Sequence, residues 1–256
     1  MRSALFVLVV AGCASTAFSQ PMGGQVDYMA GETKCQGYLA YDMSRSGKRP
    51  GVLIVHDWNS IDSYEEGRAV QLAKMGYIAF CADIYGKGVR PKTAQENGQL
   101  AGKYKGDRKL FRERLQAALT ELKKDPNVDP ANIVAIGYCF GGTGVLEMAR
   151  AGMDVKGVVS FHGGLDAGPG FEAGEVKAKV LVCHGADDPF VPAPQVEAFK
   201  KEFSKADLQF VAFPGAVHSF TEPNAGNDNS KGAAYNKAAD EGSWIKMKEF
   251  FGKLFS

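Results

Sequence analysis

The sequence predicts an α/β fold with one doubly wound, mostly parallel sheet that is preceded by an antiparallel hairpin. Short apolar runs alternate with longer amphipathic segments along the chain, which is the pattern of strands joined by crossover helices. Four of the runs are almost wholly apolar, as expected for parallel strands that helices cover on both faces. Together these observations favour one layered α/β domain.

The predicted elements begin with the hairpin, at residues 25–28 and 34–41. The parallel strands follow as apolar runs at residues 51–55, 77–81, 133–136, 155–161, 180–183 and 208–213. Helices are predicted at residues 63–75, 108–124, 143–151, 194–204 and 235–254. In the second of these helices Leu110, Phe111, Leu115 and Leu119 recur at helical spacing, which places an apolar stripe on one face.

Length and charge limit the classes of protein that fit. The chain has 256 residues and a formal net charge of +1. Without residues 1–19, roughly 235 residues remain, which suits a single α/β domain at residues 20–256 better than two small domains. The balanced charge provides no general attraction to nucleic acid or to an anionic membrane surface. Composition therefore predicts a globular enzyme or binding domain.

The first 19 residues have the order of a secretory signal peptide. Arg2 precedes a short apolar run at residues 4–10, and small residues follow it. The run is too short to span a bilayer permanently. Export to the periplasm or to the medium is therefore expected. Cleavage is equally compatible with two places: before Cys13, where residues 10–13 resemble a bacterial lipobox and the cysteine would carry a lipid anchor, or after Ser19.

Cys139 is the main candidate for a reactive side chain. Gly137-Tyr-Cys-Phe-Gly-Gly142 follows a predicted strand and precedes a helix predicted to begin near Thr143. This is the pattern of a nucleophile elbow, in which glycines permit a turn where larger side chains would collide. The turn also places the sulfur at a helix N-terminus, where the helix dipole favours the reactive thiolate. A structural cysteine in an ordinary turn is the alternative.

Two further turns provide partners for a cysteine nucleophile. Asp187 and Asp188 follow the strand at residues 180–183, and His218 follows the last strand. The order nucleophile, acid, histidine is that of α/β-hydrolases, and all three turns lie at strand C-terminal ends, which meet at one sheet edge. His218 would accept the thiol proton, and a carboxylate would fix the imidazole tautomer. Position alone leaves Asp187 and Asp188 open as the acid.

Other polar residues favour structural interpretations. His56, His162 and His184 each end a strand, where histidines commonly bond to backbone groups. Cys81 and Cys183 lie inside apolar runs and Cys35 has no paired spacing, so no structural disulfide is expected. Neither zinc-site spacing nor a phosphate-binding glycine loop is present. No metal and no cofactor are expected.

At these motifs the chain resembles the dienelactone hydrolase (carboxymethylenebutenolidase) family, from about Val52 to the C-terminal helix. The matching runs are Gly137-Tyr-Cys-Phe-Gly-Gly142, Asp188-Pro-Phe-Val-Pro192 and Ala216-Val-His-Ser-Phe220. The resemblance implies an α/β-hydrolase fold and a triad of Cys139, Asp188 and His218, with Asp188 preferred over Asp187.

The resemblance also implies an oxyanion hole and an auxiliary carboxylate. Backbone N–H groups of Trp58 and Phe140 would bind the developing oxyanion, an interaction worth about 3 kcal/mol each. Asp57 stands where the family carries glutamate beside the nucleophile. The shorter aspartate makes a direct contact with Cys139 doubtful, and capping of the following turn is the alternative for Asp57.

The substrate pocket departs from the family pattern at one position. Enzymes of this family that act on dienelactone bind its carboxylate with arginines, and Glu222 occupies one of those positions here. A glutamate would repel an anionic substrate. Candidate compensating cations are Arg90, Arg108 and Arg112, and Phe220 is the expected apolar pocket wall.

Three functions remain as hypotheses. The leading one is an exported cysteine hydrolase, a monomer or homodimer, that cleaves small lactones or esters through a thioester. The second is a broad carboxylesterase for neutral esters, which Glu222 and the export signal favour. The third is a hydrolase fold reused for ligand binding or as a thiol protein, against which the intact triad argues.

Overall fold

The computed structural model describes residues 20–168 and 176–256. Within them the strands are β1 Pro21–Ala30, β2 Thr33–Asp42, β3 Arg49–Val55, β4 Ile78–Ala82, β5 Val128–Tyr138, β6 Gly157–Phe161, β7 Lys179–Gly185 and β8 Leu208–Phe213. The α-helices are α1 Ser63–Lys74, α2 Ala94–Gly106, α3 Arg108–Lys124, α4 Phe140–Arg150, α5 Ala193–Glu202 and α6 Lys237–Leu254. Two short 3₁₀ turns, Pro223–Ala225 and Asn229–Lys231, precede α6.

The strands form one sheet in the order β1-β2-β4-β3-β5-β6-β7-β8. The β1/β2 and β2/β4 pairs are antiparallel, and every other neighbouring pair is parallel. The predicted α/β fold, with a mostly parallel sheet behind an N-terminal hairpin, is therefore confirmed. The order places the C-terminal ends of β3, β5, β7 and β8 along one edge of the sheet, where loops carry ligands in such folds.

Alternate residues of β3 show that helices cover both faces. Leu53 and Val55 belong to one buried apolar cluster with Phe111 of α3 and Val145 of α4. Val52 and Ile54 belong to the other cluster, with Leu72 of α1 and Phe251 of α6. Because successive strand residues point to opposite faces, a strand buried on both faces needs a continuous apolar run. That run is what made β3 recognisable in the sequence.

Helix α2 is the element that the sequence patterns did not predict. It carries Gly98 and Gly102 in its interior, which lowers helix propensity. Its start is nevertheless stabilised by a capping box, in which Thr93 accepts from the N–H of Glu96 and Glu96 accepts from the N–H of Thr93. Thr-x-x-Glu was the signal available in the sequence. Helix α2 matters here because it lines the site described below.

The N-terminal segment is outside the structural description. Arg2, Cys13 and the alternative cleavage place after Ser19 all lie outside the described residues. Among residues 20–168 and 176–256, no helix is both long and apolar enough to cross a membrane.

Candidate active site

Cys139 lies in a strained turn between β5 and α4. Its backbone has φ 51° and ψ −110°, a conformation that costs a residue other than glycine about 1–3 kcal/mol. A Cβ on Gly137 would lie 2.1 Å from the carbonyl oxygen of Gly141, and a Cβ on Gly141 would lie 2.1 Å from that of Val55. The close approach of β3, β5 and α4 therefore requires both glycines. Helix α4 begins at Phe140, three residues before the predicted start at Thr143.

Three loops bring Cys139, His218 and Asp188 together. His218 Nε2 lies 3.0 Å from Cys139 Sγ, and His218 Nδ1 lies 2.8 Å from Asp188 Oδ2. The other carboxylate oxygen of Asp188 accepts from the N–H of Phe190 at 2.9 Å. Since β5, β7 and β8 end at the same sheet edge, the loops that follow them converge although up to 79 residues separate the contacting side chains.

Electrostatics at this contact favour a charged imidazole. Burial opposes the positive charge, but the Cys139 sulfur and the Asp188 carboxylate outweigh it and raise the pKa of His218 to about 10. A histidine in this position can exchange a proton with the Cys139 sulfur through Nε2. The Asp188 carboxylate at Nδ1 orients the ring and stabilises its charged form.

The two adjacent aspartates have different surroundings. Asp188 is buried against His218, whereas Asp187 is exposed and its Oδ2 accepts from the N–H of Gly215 at 3.0 Å. Position in the sequence left both open as the triad acid. The geometry brings only Asp188 to the histidine.

The two residues predicted to supply the oxyanion donors line the pocket beside the sulfur. Trp58 and Phe140 line the same cavity as Cys139 and His218. In the described part of the chain, neither the N–H of Trp58 nor that of Phe140 has a hydrogen-bond acceptor. Phe140 is the first residue of α4, where backbone N–H groups are left free by helix geometry. Both residues therefore keep an unpaired N–H at the cavity that holds Cys139, and their role as oxyanion donors stays a prediction.

The hydrogen bonds of Asp57 go to its own turn and not to the nucleophile, among the described residues. Its carboxylate accepts from the backbone N–H of Asn59 at 2.6 Å and from Asn59 Nδ2 at 3.0 Å. The shorter side chain therefore caps its own turn, and the expected auxiliary contact with Cys139 is absent among the hydrogen bonds of the described residues. Burial raises the pKa of Asp57 to about 7, and the negative charges of Asp62 and Glu222 act in the same direction. The hydrogen bonds from Asn59 lower it by a smaller amount.

The loop from Asp57 to Asp62 is held by a second buried carboxyl. Glu65 Oε1 accepts from the N–H of Asp57 at 3.2 Å, and Oε2 accepts from the N–H of Asp62 at 3.1 Å. Glu65 is fully buried, and burial raises its pKa well above the ordinary value. Glu65 thus fixes both ends of the loop that presents the Trp58 backbone.

The cavity beside Cys139 has a volume of about 480 Å³. Its apolar lining includes Trp58, Phe140, Phe190 and Val191, and its ionisable lining comprises Lys105, His218 and Lys231 with Cys139 itself. Lys105 has no ion-pair partner in residues 20–168 and 176–256, whereas Lys231 lies 3.8 Å from Asp228. No Asp or Glu of the described residues lines the cavity.

The expected pocket residues lie elsewhere. Phe220 is fully buried against Phe213 and His162. Glu222 caps a 3₁₀ turn by accepting from the N–H of Asn224 at 3.0 Å. Neither residue is among those that line the cavity, so both are corrected as residues of its wall, because burial in the core occupies one side chain and the cap occupies the other.

The arginines that were candidates to compensate for Glu222 are paired away from the cavity. Arg108 lies 2.6 Å from Asp166, and Arg112 lies 2.6 Å from Glu147. Arg90 lies 3.9 Å from Asp83. The cations in the cavity are lysines instead. Lys105 was missed because α2 itself was not predicted, and Lys231 because it lies in an irregular polar loop.

Of the remaining histidines, His56 and His162 have hydrogen-bond partners, whereas the Nδ1 of His184 is buried without a partner among the described residues and its ring packs 5.6 Å from that of Phe210. His56 Nδ1 donates to the carbonyl of Asp57 at 2.5 Å, and its Nε2 accepts from the N–H of Ile84 at 3.3 Å. Burial lowers the pKa of His56 to about 4 and also lowers that of His184. His162 Nδ1 accepts from the N–H of Cys139 at 3.2 Å, a contact with the candidate nucleophile that its position after a strand did not reveal.

The four described cysteines are free thiols, and Cys35, Cys81 and Cys183 are buried. Burial raises the pKa of each of these three, to about 11 for Cys35. Cys139 alone of the four is partly exposed. In the described residues, no group of three or more His, Cys, Asp or Glu side chains is arranged to hold a metal ion.

Comparisons with known proteins identify the family of this chain. The model of the dienelactone hydrolase family matches residues 35–255. A solved dienelactone hydrolase-like promiscuous phosphotriesterase, P91, from metagenomic libraries is 39% identical, with a TM-score of 0.87 over 91% of this chain and 98% of its own. A carboxymethylenebutenolidase from Pseudomonas sp. is 25% identical over 71% of this chain and 78% of its own. A probable 2-oxo-3-(5-oxofuran-2-ylidene)propanoate lactonase from Bradyrhizobium sp. is 26% identical over 77% of this chain and 84% of its own.

Proposed function

Because this chain belongs to the dienelactone hydrolase family, a family of α/β-hydrolases, we propose that it hydrolyses small lactones or carboxylic esters with Cys139 as the nucleophile. His218 is the general base and acid, and Asp188 orients it. The observation that carries the proposal is the continuous contact from Cys139 Sγ through His218 to Asp188, at 3.0 Å and 2.8 Å, beside a cavity of about 480 Å³.

In the first half-reaction Cys139 Sγ attacks the substrate carbonyl carbon. The carbonyl oxygen becomes an oxyanion that accepts from the N–H groups of Trp58 and Phe140. Collapse of this intermediate breaks the carbon–oxygen single bond, and His218 Nε2 donates its proton to the leaving oxygen. The product is a thioester on Cys139, and with a lactone the alcohol formed stays attached to the acyl group.

In the second half-reaction neutral His218 accepts a proton from water. The hydroxide equivalent attacks the thioester carbon, the same two N–H groups bind the oxyanion, and Cys139 leaves as a thiolate. Release of the carboxylic acid restores the thiolate–imidazolium pair. Asp188 orients the ring of His218 and stabilises the imidazolium at both stages.

The charges of the cavity bear on the kind of substrate. Glu222 is not among the residues that line it, so the carboxylate makes no direct contact with a substrate there. Lys105 and Lys231 do line it, and a cation favours a substrate that carries a carboxylate. We therefore rank lactones and esters with an anionic acyl part above neutral esters. The broad carboxylesterase remains the alternative within the same chemistry.

Phosphotriester cleavage is a second candidate activity. It follows from the 39% identity to a promiscuous phosphotriesterase of the same fold. Attack of Cys139 Sγ on phosphorus would expel an aryl oxide, and water would then hydrolyse the resulting thiophosphate ester. Catalytic turnover of a neutral phosphotriester would support this activity, whereas one equivalent of aryl oxide followed by loss of ester hydrolysis would mean inhibition only.

The main test compares wild type with Cys139→Ala and His218→Ala on one neutral ester, one carboxylate-bearing ester and one lactone. Cys183→Ala is a control, because that thiol is buried in the core and does not line the cavity. The proposal expects activity in wild type and in the control, and a loss of about 10³-fold or more in the two site variants. Equal rates in all four proteins, or no hydrolysis by any of them, would contradict the proposal and favour a binding role.

We also propose export, on the pattern of Arg2 and the apolar run at residues 4–10. The mass of the mature protein made in a bacterial host distinguishes the two cleavage places. A chain that starts after Ser19 should be water-soluble, and one that starts at Cys13 should carry lipid and partition into detergent. A full-length mass with Met1 retained would contradict export.

A further inference from the structure

A fourth polar side chain lies directly behind the contact between Cys139 and His218. His162 follows β6, is only 2% exposed and has φ 41°. Its Nδ1 accepts from the backbone N–H of Cys139 at 3.2 Å, and this N–H also donates to the carbonyl of Phe161 at 3.0 Å. Its ring is 5.4 Å from the ring of His218, centroid to centroid, at an interplanar angle of 66°. The mechanism above gives it no role.

The contacts of His162 favour one tautomer of its ring. An Nδ1 that accepts from the N–H of Cys139 carries no proton, and in that tautomer Nε2 donates to Thr221 Oγ1, which lies 2.7 Å away. A protonated ring would place a second donor against the N–H of Cys139. Burial lowers the pKa of His162 well below its usual value, and the nearby charge of His218 lowers it further. Each of these arguments points to a neutral ring.

Thr221 connects His162 to a buried network between α1 and α6. Its Oγ1 lies 2.6 Å from the hydroxyl of Tyr64. Arg68 donates to the carbonyl of Thr221 at 3.2 Å and to Asp240 at 2.6 Å. The titratable groups that face the His162 ring are thus His218, Tyr138, whose ring lies 6.2 Å away, and this network. The charge of Arg68 in the network is balanced by Asp240.

We propose that His162, held in one neutral tautomer by the Thr221 hydroxyl, is a positioning residue for the nucleophile. It binds the amide of Cys139 in the strained elbow, and it keeps a second positive charge away from the imidazolium of His218. The inference rests on the proposed chemistry of Cys139 and His218.

Without the Thr221 hydroxyl, the His162 ring should no longer be restricted to one tautomer. The imidazole could then carry its proton on Nδ1, where it would oppose the N–H of Cys139 and push the elbow out of position. Displacement of a reacting group by about 1 Å can cost as much as 10²-fold in rate. Thr221 is fully buried and does not touch substrate. Its loss should therefore change turnover and the reactivity of the Cys139 thiol, and not substrate binding.

Thr221→Val and Thr221→Ser test the proposal as a matched pair. Valine keeps the β-branched shape and removes the hydroxyl, while serine keeps the hydroxyl and loses a methyl group. The expected result for Thr221→Val is a kcat about tenfold lower with KM nearly unchanged, and alkylation of Cys139 that requires a higher pH than in wild type. Thr221→Ser should behave like wild type in both measurements.

Two results would overturn the proposal. One is a folded Thr221→Val protein with wild-type kcat and a wild-type alkylation profile. The other is an equal loss in the Val and Ser variants, which would assign the effect to packing. The three buried cysteines should react slowly in all variants, so alkylation reports on Cys139.

Nitrogen NMR of the wild-type protein gives a test that needs no variant and no substrate. The chain has four histidines, and ¹⁵N shifts distinguish protonated from bare ring nitrogens. His162 should show a protonated Nε2 and a bare Nδ1 throughout the pH range in which Cys139 alkylates rapidly. The opposite tautomer or a charged ring would refute the inference. If wild type hydrolyses no ester, the proposed function fails, while alkylation and NMR still decide this inference.

Discussion

At the scale of single residues, the two neighbouring aspartates after β7 differ in what they contact. Asp188 bonds to His218, while the exposed Asp187 bonds to the backbone of Gly215. Asp188→Asn should lower kcat by about 10²–10⁴-fold, because the amide no longer stabilises the imidazolium or fixes its tautomer. Asp187→Asn is the matched control and should change kcat less than about threefold. Steady-state ester kinetics check both, and similar losses in the two variants would contradict the assignment.

Lys105 offers a second prediction at this scale. Its side chain lines the cavity without an ion-pair partner in the described chain. Lys105→Met should raise KM for a carboxylate-bearing ester by roughly two- to fivefold, the range of a solvent-accessible ion pair, and leave KM for its neutral analogue unchanged.

Lys103→Met is the control for Lys105, since Lys103 lies on the same helix but outside the cavity lining. It should leave both KM values as in wild type. An equal change for neutral and anionic esters would mean that Lys105 shapes the cavity and does not bind the anion.

At the scale of elements, the junction of β5 and α4 sets the position of the nucleophile. Gly141 permits α4 to approach the backbone of β3, where a Cβ would lie 2.1 Å from the Val55 carbonyl. Gly141→Ala should therefore destabilise the protein by about 3 kcal/mol or more. It should also lower activity in the fraction that folds, because the elbow must shift.

Gly102 in α2 provides the opposite case. A Cβ there would contact nothing within 4 Å, and alanine favours a helix interior over glycine, so Gly102→Ala should stabilise by about 0.5–1 kcal/mol. Denaturant unfolding measures both changes. A Gly141→Ala protein as stable as Gly102→Ala would contradict the close approach of α4 and β3.

At the scale of the whole molecule, three buried groups make stability depend on pH with the same sign. The pKa values of Asp57 and Glu65 are raised by burial, and that of His218 is raised to about 10 by Cys139 and Asp188 against the effect of burial. A raised pKa means that the folded state binds more protons than the unfolded state. The stability from each group is present below its unfolded pKa and is lost as pH rises through its folded pKa.

Asp57 provides the variant that tests this dependence. Its pKa of about 7 lies above the ordinary value of 3.8, so the contribution of Asp57 to stability should be lost as pH rises from about 4 to about 7. The lowered pKa values of the buried histidines act in the opposite direction in both proteins, so the test is the difference between them: relative to Asp57→Asn, wild-type Tm should decline by roughly 2–4 °C across that range, which corresponds to about 1 kcal/mol. Asp187→Asn, at an exposed site, should keep the wild-type slope. Parallel Tm curves for wild type and Asp57→Asn would refute the raised pKa.

The sequence by itself determined the fold class, most elements and the order of the candidate residues. Apolar runs such as residues 51–55 are visible because strands covered on both faces need them. The glycines around Cys139 are visible because the elbow is a local turn. Cys139, Asp188 and His218 followed from motifs that each lie within one loop.

Tertiary structure decided what depends on distant neighbours. Helix α2 has weak propensity and is stabilised by its cap and its packing, so the cavity lysine that it carries was not foreseen. Phe220 and Glu222 do not line the cavity, because one is buried in the core and the other caps a turn. The turn of Asp57 onto Asn59 and the contact of His162 with Cys139 depend on distances between side chains, which residue spacing does not encode.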